Sequence, residues 1–156
     1  MNQVSNSLKE FERVAEDFVK TLLPNKDMAV IVGLYGNLGA GKTTFTQIVA
    51  KAFGLEENVT SPTFVIEKIY PIRTDGRKRP TSSGASEFTH LIHIDAYRLE
   101  KSEELLHLGW KEIISDPNNL VLIEWPDRVE DIMPEHIKIS LKTLENKDSR
   151  EIEIVL

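Results

Sequence analysis

Residues Gly36, Asn37, Leu38, Gly39, Ala40, Gly41, Lys42, Thr43 and Thr44 run in unbroken order. They fit G-x-x-x-x-G-K-[ST], with Gly36, Gly41, Lys42 and Thr43 at the fixed places. The chemistry this spacing serves is the capture of a polyphosphate. Glycines allow the backbone to fold back so that successive N–H groups point inward at a phosphate. Lys42 supplies a point charge between the β- and γ-phosphates, and the Thr43 hydroxyl is a ligand for Mg²⁺. A helix starting here adds the positive end of its dipole.

Two carboxylates belong with this loop. Asp95 closes the run Leu91-Ile-His-Ile-Asp95, and Glu124 closes Leu120-Val-Leu-Ile-Glu124. Both are predicted strands, and an open α/β sheet presents its ligand site at the carboxyl ends of its strands. Either residue could ligate Mg²⁺ or orient an attacking water. Trp125 follows at once, as a packed aromatic or a stacking surface. Ser61-Pro-Thr63-Phe64 offers hydroxyls that a γ-phosphate could order, as in a switch loop. Arg98, Arg128 and Arg150 are candidate partners for phosphate oxygens. His93 reads as a hydrogen-bonded strand residue, because no second histidine stands at ligand spacing.

The elements that must position these groups are legible in the hydrophobic pattern. Met28–Tyr35 is an apolar run of strand length, suited to burial on both faces. After the loop, Phe45, Ile48, Val49, Ala52 and Phe53 recur at helical spacing and Gly54 ends the helix. Upstream, Leu8, Phe11, Val14, Ala15, Phe18, Val19 and Leu22 share one face of a helix over Ser7–Leu23. Ser7-x-x-Glu10 has the form of a capping box. Phe64–Tyr70 has strand composition. Pro71–Thr89 carries Arg73, Arg77, Lys78 and Arg79 among Pro, Gly, Ser and Thr, and reads as a long, mobile, basic hairpin connection. Ser102–Leu108 is a short helix stopped near Gly109. The tail alternates at Ile137, Ile139, Leu141 and again at Ile152, Ile154, Leu156, an antiparallel pair.

The expected fold is therefore α/β: a P-loop NTPase-like, mainly parallel sheet flanked by helices, with antiparallel C-terminal strands. The 156 residues suit a single domain, 1–156. There is no cysteine, which excludes disulfides and thiolate chemistry. No apolar stretch nears the roughly 20 residues of a membrane span and no signal sequence is visible, so the expected location is cytoplasmic. A net charge of −6 argues against a broad nucleic-acid-binding surface.

The phosphate loop, Ser61-Pro-Thr-Phe64, His93-Ile-Asp-Ala-Tyr-Arg-Leu99, Glu103-Glu-Leu105 with Gly109, and Ile123-Glu-Trp125 follow one another in a single order. That series resembles the bacterial TsaE family over roughly Ser7–Arg150. The resemblance implies a small ATPase needed for threonylcarbamoyladenosine in tRNA at position 37. Its partners would be a TsaD-type threonylcarbamoyl transferase and a TsaB-type protein, with tRNA met indirectly through that complex. By the same resemblance the loop through Lys42 binds ATP phosphates, and Thr43 and Glu124 hold Mg²⁺. Asp95 matches the family's essential aspartate, Thr63 its switch segment and Trp125 its functional tryptophan. Ser7–Phe11 falls where the family's N-terminal segment nears the adenine. The Tyr70–His93 connection is longer than is usual for the family. Other users of such a loop are a small-molecule kinase, a GTPase and a non-catalytic ATP-binding module. The chain has no Asn-Lys-x-Asp or Thr-Lys-x-Asp with which a GTPase would read guanine.

Overall fold

Two of the site's anchors lie on neighbouring parallel strands, and the sheet explains why. The computed structural model describes residues 1–55, 66–72, 88–146 and 148–156. In chain order its strands are β1 (Asn2–Ser5), β2 (Val30–Tyr35), β3 (Glu67–Pro71), β4 (His90–Asp95), β5 (Asn119–Glu124), β6 (Ile137–Thr143) and β7 (Arg150–Val155). The helices are α1 (Leu8–Thr21), α2 (Lys42–Ala52), α3 (Ser102–His107) and α4 (Trp110–Ser115). Short 3₁₀ segments span Ala96–Arg98 and Pro126–Ile132.

The strands form one sheet in the order β1-β7-β6-β2-β5-β4-β3. β6, β2, β5 and β4 are mutually parallel, whereas β1, β7 and β3 join antiparallel at the two edges. The parallel centre, the flanking helices and the C-terminal antiparallel pair agree with the sequence reading. The β3–β4 pairing is also the hairpin expected across the 71–89 connection, and Ile72 N–H donates to Thr89 O at 2.8 Å. The basic stretch of that connection and Ser61–Phe64, with Thr63, lie outside the described residues.

One face of the sheet packs on α1 and α2 through Phe11, Phe18, Phe45, Val49, Leu91, Leu120 and Leu122. The other face packs on α3 and α4 through Ile31, Ile92, Ile94, Leu105, Trp110 and Ile123. β5 is buried at every position, as a central parallel strand between two layers must be.

α1 begins where Ser7 caps it: the Ser7 hydroxyl accepts from Glu10 N–H at 3.2 Å. Glu10 returns the bond one residue earlier than the capping-box pattern, to Asn6 N–H at 2.7 Å. β1 and α4 have no signature in the hydrophobic pattern. β1 is polar, and only its backbone pairing with β7 makes it a strand. α4 starts directly after Gly109, whose φ of 88° breaks α3, and it is held by Trp110 Nε1 donating to Ile132 O. Among the described residues no helix is long and apolar enough to cross a membrane.

Candidate functional site

The ladder sets Leu34 opposite Glu124 and Glu124 opposite Asp95. Three adjacent parallel strands therefore deliver the phosphate-loop motif, Glu124 and Asp95 to the same carboxyl-terminal end of the sheet. A cavity of about 370 Å³ opens there, lined by Leu38, Gly39, Gly41, Lys42, Thr43, Thr44, Asp95, Tyr97, Arg98, Glu124 and Trp125. Part of the loop, both carboxylates, Trp125 and Arg98 meet around this one space. Gly36, Asn37 and Ala40 do not line it: the Gly36 and Asn37 carbonyls accept from Lys42 Nζ, and Ala40 is buried.

The loop depends on glycine at two points. Gly36 has φ 135°, and a Cβ there would lie 2.3 Å from the Leu141 carbonyl oxygen of β6. Gly41, at φ 107°, starts α2, and its added Cβ would meet the Phe11 ring at 3.4 Å. The loop is thus wedged between β6 and α1. Arg150, at the start of β7, donates from Nε to Ala40 O at 3.1 Å and is not among the cavity-lining residues.

Lys42 is buried, and its Nζ donates to Gly36 O at 2.6 Å and Asn37 O at 2.9 Å. The same ammonium stands 3.8 Å from the centre of the Trp125 ring. Burial lowers the Lys42 pKa, opposed by the charges of Glu124, Asp95 and Asp127. An ammonium already partly stripped of water binds an incoming anion without a large further desolvation cost.

Glu124 is buried and engaged at both oxygens. Thr43 Oγ1 donates to its Oε2 at 3.1 Å, and His93 Nε2 lies 2.9 Å from its Oε1. His93 is thus a hydrogen-bonded strand residue, as expected. A hydroxyl and a carboxylate oxygen this close form a hard donor pair suited to Mg²⁺, which commonly takes one or two protein oxygens and completes its shell with phosphates and water. Among the described residues no group of three or more His, Asp or Glu is arranged to hold a metal by itself. Asp95 caps the Ala96–Arg98 turn, its Oδ1 accepting from Tyr97 N–H at 3.1 Å.

Trp125 has φ 59° and ψ 49°, the left-handed region, at the exit of β5. A bulky residue held there costs about 1–3 kcal/mol, and such strain gathers at functional sites. Its indole packs against Tyr97, ring centres 5.1 Å apart, and Arg128 lies over the other aromatic at 5.6 Å. Tyr97 lines the cavity without belonging to a residue type or spacing that marks a phosphate or metal site. The signal was available in Asp95, a residue type that starts a helical turn and so turns the next side chains back across the site.

The strand–loop–helix unit and the sheet around it define a P-loop NTPase-like α/β protein. The family model described as "Threonylcarbamoyl adenosine biosynthesis protein TsaE" matches residues 5–152. The chain belongs to the TsaE family. It is 37% identical over 143 residues to a tRNA threonylcarbamoyladenosine biosynthesis protein TsaE of Rickettsia prowazekii (strain Madrid E), covering 90% of this chain and 85% of that one. It is 32% identical over 145 residues to the protein of the same name from Haemophilus influenzae, covering 92% and 81%. The crystal structure of Bacillus subtilis YdiB aligns with a TM-score of 0.69 at 27% identity, over 97% of this chain and 82% of that one.

Proposed function

We propose that this chain is a Mg²⁺-dependent ATP-binding and ATP-hydrolysing subunit required for the threonylcarbamoyladenosine modification of tRNA at position 37. It acts as a nucleotide switch on a threonylcarbamoyl-transferase complex in the cytoplasm. Membership of the TsaE family supports the pathway. The observation that carries the chemistry is the 3.1 Å pairing of Thr43 Oγ1 with Glu124 Oε2, one residue along from the loop-bound Lys42 ammonium.

In this reading the loop amides and Lys42 bind the phosphates of ATP, Lys42 exchanging loop carbonyls for phosphate oxygens. Thr43 and Glu124 hold the Mg²⁺. Bound there, the ion offsets charge on the β- and γ-phosphate oxygens. Asp95, across the ladder from Glu124, joins the cation ligands or orients the attacking water. Water adds to the γ-phosphorus, the bond to the bridging oxygen breaks, and ADP and phosphate leave. Trp125 packs over Lys42, and Thr63 is assigned the γ-phosphate contact of a switch segment. The partners are a TsaD-type transferase and a TsaB-type protein, with tRNA reached through them.

The test is ATP hydrolysis by the purified chain, alone and with those two partners. Slow turnover alone, a rise in the complex and its loss in Lys42→Ala are the expected results. Tight ATP binding with no response to the partners would overturn the switch.

A further inference from the structure

His93 sits on β4, two positions before Asp95, fully buried on the sheet face that packs under α2. It does not line the cavity. Its Nε2 reaches Glu124 Oε1 at 2.9 Å, while Glu124 Oε2 accepts from Thr43. One carboxylate oxygen is therefore held inside the core and the other is presented to the loop.

The proton on the imidazole can be placed by elimination. His93 Nδ1 is buried without a hydrogen-bond partner among the described residues. A proton on Nδ1 alone would leave a buried N–H donor unpaired and turn the Nε2 lone pair toward the carboxylate. Both cost free energy. A proton on Nε2 makes that nitrogen a donor to Glu124 and leaves only an unpaired acceptor at Nδ1. The bond is not needed to align the strands, since β4 and β5 already pair from His90–Asn119 through Asp95–Glu124.

We infer that His93 is a positioning residue: its Nε2–H fixes the Glu124 carboxylate so that Oε2 faces the Thr43 hydroxyl. This rests on the reading of Thr43 and Glu124 as the Mg²⁺ ligands. A freely rotating carboxylate would have to be ordered at each binding event, and partners that orient a metal ligand typically contribute 10–100-fold in affinity or activity.

The variants that isolate this role are His93→Gln and His93→Asn. Glutamine carries an amide N–H₂ near the Nε2 position; asparagine carries the same amide one methylene short of Glu124. Binding of a fluorescent ATP analogue is titrated against Mg²⁺ for each full-length protein, and again in excess EDTA, with a melting curve alongside. The inference expects His93→Asn to need roughly tenfold more Mg²⁺ for half-saturation, with unchanged binding in EDTA. His93→Gln stays within about twofold of wild type. If asparagine at this buried position prevents folding, His93→Leu supplies the donorless case. Donorless and glutamine variants that share the wild-type Mg²⁺ dependence, or that shift equally in step with Tm, overturn the inference alone. Mg²⁺-independent binding by the wild type overturns the cation site itself, and this inference with it.

Discussion

Lys42 Nζ rests 3.8 Å from the centre of the Trp125 ring while donating to the Gly36 and Asn37 carbonyls of its own loop. The ammonium is held by dipoles and a π-face in a buried place, and that burial is the leading cause of its lowered pKa. A folded-state pKa below the ordinary 10.5 means that the unfolded chain binds more protons across that window. Stability then rises as pH climbs toward 10.5, and at neutral pH the buried charge is a net cost. Lys42→Met is therefore expected to melt higher than wild type at pH 7 while losing ATP binding. The gap should narrow toward pH 10. Calorimetric scans at the two pH values check this; a lower Tm for the variant at pH 7 would contradict it.

Gly36 meets β6 so closely that a methyl group cannot enter. Its Cβ would stand 2.3 Å from the backbone oxygen of Leu141, at a φ of 135°. Gly36→Ala is expected to cost about 1–3 kcal/mol of stability through the strained backbone alone. ATP affinity should fall further than Tm suggests, because the loop must shift away from β6. Gly39→Ala is the control, since nothing lies within 4 Å of its added Cβ and only its φ of 78° is at stake. Equal loss of ATP affinity in the two variants would reject the contact with Leu141 as the cause.

Arg150 offers a choice between two roles. As a brace it holds the loop through the Ala40 carbonyl at 3.1 Å; as a phosphate ligand it would leave that bond for the nucleotide. Arg150→Met removes the guanidinium and keeps much of the side-chain bulk. The brace predicts that ATP and ADP affinity fall together by about five- to tenfold, the net worth of roughly one hydrogen bond. A fall confined to ATP would make Arg150 a γ-phosphate ligand. Isothermal titration with each nucleotide separates the outcomes.

The sequence reading was strongest where one physical cause acts alone. A phosphate loop needs glycine, lysine and a hydroxyl at fixed offsets, and a central strand needs an unbroken apolar run, so β2, α2, β5 and Glu124 could be placed from their neighbours in the chain. It was weaker where the cause lies far along the chain. β1 has no apolar pattern and exists because β7 offers it a backbone edge. α4 buries only Trp110 and Ile113, too few positions to show a helical period. The His93–Glu124 bond joins residues 31 apart, and its partnership follows from strand order rather than local spacing. The left-handed turn at Trp125 carries no sequence signal, because glycine is what that conformation favours.

Glu67 tests the edge of the sheet rather than the site. It opens β3, half-buried, with Oε2 inaccessible and without a hydrogen-bond partner among the described residues. Burial raises its carboxyl pKa above the ordinary 4.5. The protonated form is the one that the folded state favours. Its contribution is fully present below pH 4.5 and is lost as pH rises through the folded-state value. Glutamine is uncharged throughout and keeps the shape. Glu67→Gln is therefore expected to melt above wild type at pH 7, with the difference shrinking as pH falls to 4. Other carboxylates titrate in both proteins and cancel in that difference. Melting curves at pH 4, 5.5 and 7 decide it: a gap that holds constant with pH would show that Glu67 is solvated in the folded chain, and that the outer strand opens further to water than its packing indicates.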